Sequence, residues 1–350
     1  MKHFCLTLTI AAVGLTLSCS KPAGNPFLGR WDMTVTTPQE QYPSWMEVTE
    51  ADGKLEARVQ QRTGNVNPAV AVERDGNKLI VTVSAAVPAR PATEDRPAMP
   101  ERPALIWELT EEGGRLKGTQ TRGSQTFEIV GVRAPALDHP APVEWGEPEP
   151  LFNGKDLTGW EPINNTPQPP GGFKNNWTVK NGELVNLAQG SNLRTTRVFD
   201  DFKLHVEYNL APGSNSGIYL RGRYEVQVAP PPSAPARESA RRPAAERRER
   251  EGAPRPPRNP YLGIGCIYGF LGPSSPPPFT PDWQTYDITL VGRRVTVVFN
   301  GVTTIDNEEI PGITGGALDS NEAEPGPIYL QGDHPGTLRF RNITISLPKR

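Results

Sequence analysis

At 350 residues with a formal net charge of -2, the chain is long enough for two hydrophobic cores and has no basic excess to hold nucleic acid. Its 39 prolines and 34 glycines favour many turns and short strands, and no stretch keeps a capped helical periodicity, so the composition points to an all-β chain. With 3 cysteines, two of them in the N-terminal segment described next, an intramolecular disulfide framework is excluded.

The weakly basic start Met1-Lys2-His3 leads into a mostly apolar run from Phe4 to Leu17, too short to span a bilayer. Residues 1–19 therefore read as an export signal. Its end, Leu15-Thr16-Leu17-Ser18-Cys19, resembles a bacterial lipobox, which implies lipidation of Cys19 and a membrane anchor. The expected location is the cell envelope, on the periplasmic or outer-membrane face. Cys266 is then the remaining thiol, set among Gly263, Ile264, Gly265 and Ile267, and is expected to be a buried small hydrophobe.

Residues 25–135 read as a small antiparallel β unit. Alternating runs occur at Gly29–Val35, Ser44–Thr49, Leu55–Val59, Lys78–Val83, Ile106–Leu109, Arg115–Thr119 and Phe127–Val132, with turn signals at Asp52-Gly53, Asp75-Gly76-Asn77 and Gly113-Gly114. Sequential hairpins of this kind close as an up-and-down barrel or a sandwich. The opening Gly29-Arg30-Trp31 resembles the start of a lipocalin-like barrel. The proline-rich stretch Ala85–Pro103 reads as a surface loop, and residues 136–150 as a stiff proline-rich linker with a solvated His139.

A second unit spans residues 151–348. Phe202, Leu204, Val206, Tyr208 and Leu210 share one strand face, against Lys203, His205, Glu207 and Asn209 on the other. After Leu338 and Phe340 the apolar phase changes to Ile343, Ile345 and Leu347, which predicts a bulge. Many antiparallel strands with one apolar face each imply two stacked sheets. In Tyr224-Glu225-Val226-Gln227-Val228 the apolar residues take one face, and a carboxylate with a carboxamide takes the other. That pattern costs stability unless the polar side lines a wet cleft. Residues 229–260, rich in proline, arginine and glutamate, form an insert with little to bury, expected to be disordered or to cover the cleft.

The second unit resembles the 3-keto-disaccharide hydrolase family. The resemblance is carried by Leu151-Phe152-Asn153-Gly154-Lys155-Asp156-Leu157-Thr158-Gly159-Trp160, Trp177–Leu184, Asp201–Tyr208, Ser214–Val228, Trp283–Ile288, Val297–Gly301, Gly326–Gln331 and Phe340–Ile343. It implies a concanavalin-like jelly roll and cleavage of 3-keto-glycosides or 3-keto-disaccharides by elimination and hydration. It also implies a base at Glu225, with Glu207 and His205 as catalytic partners should the sheet bring them together. Asn215, Arg221, Gln227, Tyr268, Gln331 and His334 are the expected substrate-binding residues. Relatives show Leu-Gln-Asp-His-Gly where this chain has Leu330-Gln331-Gly332-Asp333-His334-Pro335-Gly336, one glycine longer. Trp160, Trp177 and Trp283 are expected mostly in the core. No recognisable metal motif occurs, yet a divalent ion on oxygen ligands such as Glu225 is compatible with the sequence. The partners expected are a carbohydrate and, through the anchor, a membrane. The alternatives are an orthodox two-carboxylate glycosidase, a non-catalytic carbohydrate-binding lipoprotein and a scaffold lipoprotein.

Overall fold

The structure is a computed structural model that describes residues 24–93, 96–229, 260–280 and 282–349. The signal-like segment with Cys19, and all of the insert except its two end residues, lie outside the described residues. No described helix is long and apolar enough to cross a membrane.

The chain is all-β. Its first part holds β1 (Gly29–Thr36), β2 (Gln41–Ala51), β3 (Lys54–Gln60), β4 (Asn67–Pro68), β5 (Ala71–Asp75), β6 (Lys78–Ser84), β7 (Leu105–Glu112), β8 (Arg115–Arg122) and β9 (Gln125–Arg133). Every pairing is antiparallel between chain neighbours, except that β9 returns to pair with β1. The two ends of this sheet are joined by one run of chain. β4 pairs with β3, and Ala69 N donates to Ala57 O at 2.8 Å; Val70 N then donates to Thr82 O at 2.7 Å as β5 turns to pair with β6. The residues 67–75 thus act as one bent strand that closes an up-and-down barrel, which removes both free edges. Trp31, Met33, Met46, Val59, Leu79, Val81, Trp107 and Leu109 fill it. Of the two closures expected from the hairpins, the barrel is the one observed. The stretch after β6 is a paired arm, with bridges at Val87–Arg102, Arg90–Met99 and Thr93–Arg96.

The second part holds β10 (Glu149–Pro150), β11 (Trp160–Ile163), β12 (Trp177–Lys180), β13 (Glu183–Asn186), β14 (Asn192–Thr195), β15 (Phe202–Leu210), β16 (Ser216–Leu220), β17 (Tyr224–Val228), β18 (Gln284–Val291), β19 (Arg294–Phe299), β20 (Val302–Glu309), β21 (Tyr329–Leu330) and β22 (Leu338–Ser346). They form a jelly-roll sandwich of two antiparallel sheets. One runs β12-β13-β22-β15-β18-β19-β20, with β10 on β22, and the other runs β11-β14-β21-β16-β17. The core between them takes Phe202, Leu204, Val206, Tyr208 and Leu210 from one sheet, and Ile218, Leu220, Tyr224, Val226, Val228 and Leu330 from the other. The phase change in β22 is a bulge opposite Val206, with Asn342 in the left-handed region at φ 49.

The expected linker is not free. Trp145 bridges to Pro348, Glu149 pairs with Ile345, and Gly292 leaves no room for a Cβ against the Leu137 carbonyl. His139, expected in solvent, is half-buried with Nδ1 2.8 Å from Asp201 Oδ1, because the segment lies against the sandwich. The barrel meets the sandwich at Trp45, whose ring packs edge-on to Phe270 at 5.2 Å and belongs to the sandwich core. Beside it Asp32 is buried against Glu322 and Arg293, and Thr34 and Ser320 share a hydroxyl hydrogen bond of 2.7 Å.

Candidate active site

Strand alternation decides what faces outward from the five-stranded sheet. Since Ile218, Leu220, Tyr224, Val226, Val228 and Leu330 point into the core, Gly217, Tyr219, Glu225, Gln227, Tyr329 and Gln331 point the other way. Over that face lies a cleft of about 390 Å³, lined by Tyr219, Glu225, Gln227, Gln331, Asn215, Tyr268, Asp333 and His334 among others. Six of the residues singled out from sequence (Glu225, Gln227, Asn215, Tyr268, Gln331 and His334) therefore meet in one place.

Glu225 is the floor of the cleft. Its carboxyl extends over Gly217, where a Cβ would come within 2.5 Å of Oε1, so the bare position is what makes room for it. Burial pushes the carboxyl up to about 8, with the Tyr219 hydrogen bond pulling down and the nearby Asp333 charge pushing up. At neutral pH Glu225 keeps its proton. The resemblance implies a base here; withdrawal from water favours the neutral carboxylic acid form of the group. The Tyr219 hydroxyl lies 2.7 Å from Gly315 O and 3.0 Å from Glu225 Oε2, and it has one hydrogen to give. That hydrogen is shared between Gly315 O and Glu225 Oε2, and the share Glu225 receives draws its carboxyl down against the effect of burial. The ring is fixed by stacking on Tyr329 at 3.8 Å, whose own hydroxyl donates to Gly316 O at 2.6 Å.

Asp333 and His334 form the second unit of the cleft. Burial alone would raise the Asp333 carboxyl, but hydrogen bonds from His334 and Thr166 hold it below the usual carboxylate range. An ionised Asp333 can only accept, so the 2.7 Å contact with His334 is Nδ1–H donating to Oδ1. The extra Gly332 is itself tightly held beside the pair. Its N donates to Asn192 Oδ1 at 2.7 Å, its carbonyl accepts from Gly190 N at 2.8 Å, and a Cβ there would press on the Trp177 and Asn186 side chains.

Two further groups are acceptors that a ligand donor would satisfy. Gln227 Oε1 and Gln331 Oε1 are buried in the cleft lining with no hydrogen-bond partner. A buried acceptor left unpaired costs about 1–3 kcal/mol, a penalty that a ligand hydroxyl would relieve. Thr166, Phe173, Gln189 and Tyr219 also line the cleft, as do Thr63 and Gly64 of the barrel. None of these was singled out from sequence. Tyr219 alone had a visible signal, since it lies two residues from Gly217 in an alternating strand beside Glu225.

Three expected site residues are elsewhere. Arg221 sits at φ 51 in the turn between β16 and β17, which sends its fully buried guanidinium to the Glu322 and Glu324 carbonyls, the latter at 2.9 Å, and to Asp200. His205 and Glu207 lie on the outer face of the other sheet, with the whole core between them and Glu225. There His205 Nδ1 meets Asp287 at 2.7 Å, and Glu207 accepts from Arg341 and Asn342 at 2.7 Å each. Their strand face is as expected, but it belongs to the wrong sheet for the cleft. Trp160 and Trp177 are buried, with ring N–H groups given to Leu151 O and Ser191 O, and Trp283 is stacked by Arg341 at 3.9 Å. Cys266 is buried, as expected.

Among the described residues, the one group of three His, Cys, Asp or Glu donors within reach of a single ion is His139, Asp200 and Asp201, which is outside the cleft lining. Glu225, Asp333 and His334 do not come together in that way.

No curated protein matches the chain in sequence. Among solved structures, a proposed glycosyl hydrolase from Parabacteroides distasonis is 26% identical over 57% of this chain and 83% of its own, at a TM-score of 0.40. A second from the same organism is 18% identical over 57% and 92%, at 0.39. A laminarinase from Flavobacterium sp. is 12% identical over 59% and 100%, at 0.31. Residues 147–346 match the 3-keto-alpha-glucoside-1,2-lyase-like domain, and the chain belongs to that carbohydrate-active family.

Proposed function

We propose that this protein cleaves the glycosidic bond of 3-keto-glycosides by elimination and then hydration. The observation that carries the proposal is the pairing, in one cleft, of a buried carboxyl that keeps its proton with an imidazole oriented by a carboxylate. Environments that separate two titratable groups in this way assign an acid and a base.

A ketone at C3 acidifies the hydrogen on C2. His334 Nε2 takes that proton, and the electron pair passes into a C2–C3 enolate. Side-chain N–H groups of Asn215, Gln227 and Gln331 are the donors available to the enolate oxygen. The enolate then reforms the C3 carbonyl, a C1–C2 double bond forms and the C1–O bond breaks. Glu225 gives its proton to the departing oxygen. Water adds at C1 of the enone, and C2 regains a proton from the imidazolium, so the sum is hydrolysis to a 3-keto-sugar and an alcohol or sugar. Glu225 recovers its proton from that water.

The test is turnover of a 3-keto-glucoside or 3-keto-trehalose by the full chain, beside the unoxidised sugar. Glu225→Gln keeps the shape but loses the transferable proton, and His334→Ala loses the base. Each is expected to lower kcat by about 10²–10⁴-fold, the usual share of general acid–base catalysis. Cleavage of the unoxidised glycoside as readily as the oxidised one would replace elimination with an orthodox glycosidase. Binding of the sugar with no turnover of either would leave a binding protein.

A further inference from the structure

Part of the cleft wall comes from outside the family-matched residues 147–346. Thr63 and Gly64, in the loop between β3 and β4 of the barrel, line it. This loop is wedged between two turns of the sandwich. On one side Gly316 N donates to Arg62 O at 2.9 Å, and Gly315 has no space for a Cβ because Gly64 and the Gln60 amide stand against it. On the other side, a Cβ on Gly269 would meet Val66 N at 3.1 Å and Asn65 Cβ at 3.3 Å. The first turn carries the carbonyl that receives the Tyr219 hydroxyl, and the second follows Tyr268, whose N donates to Glu225 O at 2.9 Å. The loop is braced from within, since Gln60 Nε2 donates to Gln61 O at 2.7 Å and Gly64 O at 2.9 Å. Arg62 is tied to Glu40 through both guanidinium NH groups, the Nη2 contact at 2.6 Å. Thr63 itself is exposed at the cleft.

We propose that this barrel loop is the leaving-group subsite, with Thr63 and the Gly64 backbone contacting the sugar expelled from the 3-keto ring. The inference rests on the elimination reading for which end of the substrate is meant. The acid must touch the leaving oxygen, and Glu225 is held, through Tyr219, on the Gly315 side of the cleft. Whatever lies beyond that oxygen extends toward Gly315, Gly316 and the loop packed on them. The ligand class is a hexose or a similar polyol, long enough to reach a hydroxyl and backbone groups there; a methyl group is not. A volume of about 390 Å³ is at the small end of the about 300–1,000 Å³ usual for ligand sites, which suits a short substrate bounded by the barrel.

The experiment compares wild type, Thr63→Ala and Thr63→Trp as full chains, on a methyl 3-keto-glucoside and on a 3-keto-disaccharide. Thr63→Trp is expected to lower kcat/KM for the disaccharide by about tenfold or more, mainly through KM, and to leave the methyl glycoside within about twofold. Thr63→Ala is expected to cost the disaccharide about two- to fivefold and the methyl glycoside nothing. Equal losses on both substrates, or no loss on either, would overturn the proposal. Thr63 is exposed, so unchanged thermal unfolding of both variants separates a lost contact from a lost fold. If wild type turns over neither 3-keto substrate, the reaction reading fails on its own, and calorimetric titration with the unoxidised disaccharide and methyl glucoside decides the subsite. A selective loss of about tenfold for the disaccharide in Thr63→Trp sustains it; unchanged affinity for both sugars ends it.

Discussion

At the scale of single residues, the proposed chemistry turns on the proton of Glu225. Its folded value of about 8 lies well above the 4.5 of a free carboxyl, so the protonated acid exists up to mildly alkaline pH. The expected consequence is a fall in kcat/KM as pH rises through about 8, when the acid is lost. Tyr219→Phe removes a hydrogen bond that lowers this value, so the alkaline limb should move to higher pH. A limb that stayed put, or moved down, would mean that another group sets it. Gly217 makes a different demand, because its missing side chain is the space Glu225 occupies. Gly217→Ala should displace the carboxyl and lower kcat by about 10²-fold, with a much smaller effect on thermal unfolding, since an ångström of misplacement at a reacting group is costly. Unchanged turnover in that variant would show that the carboxyl tolerates a shift.

Among the elements, what was legible in the sequence follows period and turn chemistry. The hairpins of the barrel announced themselves through Asp52-Gly53 and Gly113-Gly114, and Gly113 and Gly114 do adopt the left-handed region, at φ 61 and φ 82. The strand that closes the barrel did not. Residues 67–75 contain no alternation, are mostly exposed, and include a proline that can pair only at an edge or a bend. The same limit governs the site. The face of β17 that carries Glu225 and Gln227 was readable from its period of two, but the period cannot say which of two sheets a strand joins. That is why His205 and Glu207 were expected at a cleft on the far side of the core, and why Arg221, at a turn, was expected beside Glu225. Thr63 was invisible, since nothing in a short loop between hairpins marks it as facing a distant strand. The seam between barrel and sandwich has its own test. Gly312 lies flat against the Trp45 ring, leaving no room for a Cβ. Gly312→Ala should destabilise the docked state by about 1–3 kcal/mol, as overpacking does, and the red shift of a newly exposed tryptophan should accompany it. Full stability with unchanged fluorescence would show that the seam yields.

For the whole molecule, two buried carboxyls, Glu225 and Asp32, contribute stability that depends on pH in an unusual direction. Glu225 is pushed up to about 8 by burial, and Asp32 to about 10 by burial and then by Glu322. In the unfolded chain both would ionise near 4. Between those values the folded state holds more protons than the unfolded one, so stability falls with rising pH. The contribution is fully present below about pH 4 and is lost as pH climbs through about 8 for Glu225 and about 10 for Asp32. Glu225→Gln should therefore raise the melting temperature relative to wild type at pH 9 and not at pH 4. The gain is of the order of a few kcal/mol. A mutant no more stable than wild type at pH 9 would show that Glu225 ionises in the fold without penalty.

The position of β22 sets an order in time. This late strand lies inside its sheet, between β13 and β15, and also pairs with β10 at the sandwich entrance. The barrel strands, all before residue 134, need nothing downstream to pair. During synthesis the barrel can close early, while nearly 200 residues of sandwich wait, unpaired at their centre, for the last strand to arrive. The candidate cleft is thus among the last things to exist, and a chain stopped at Gly336 should show amide protection in the barrel and none in β15.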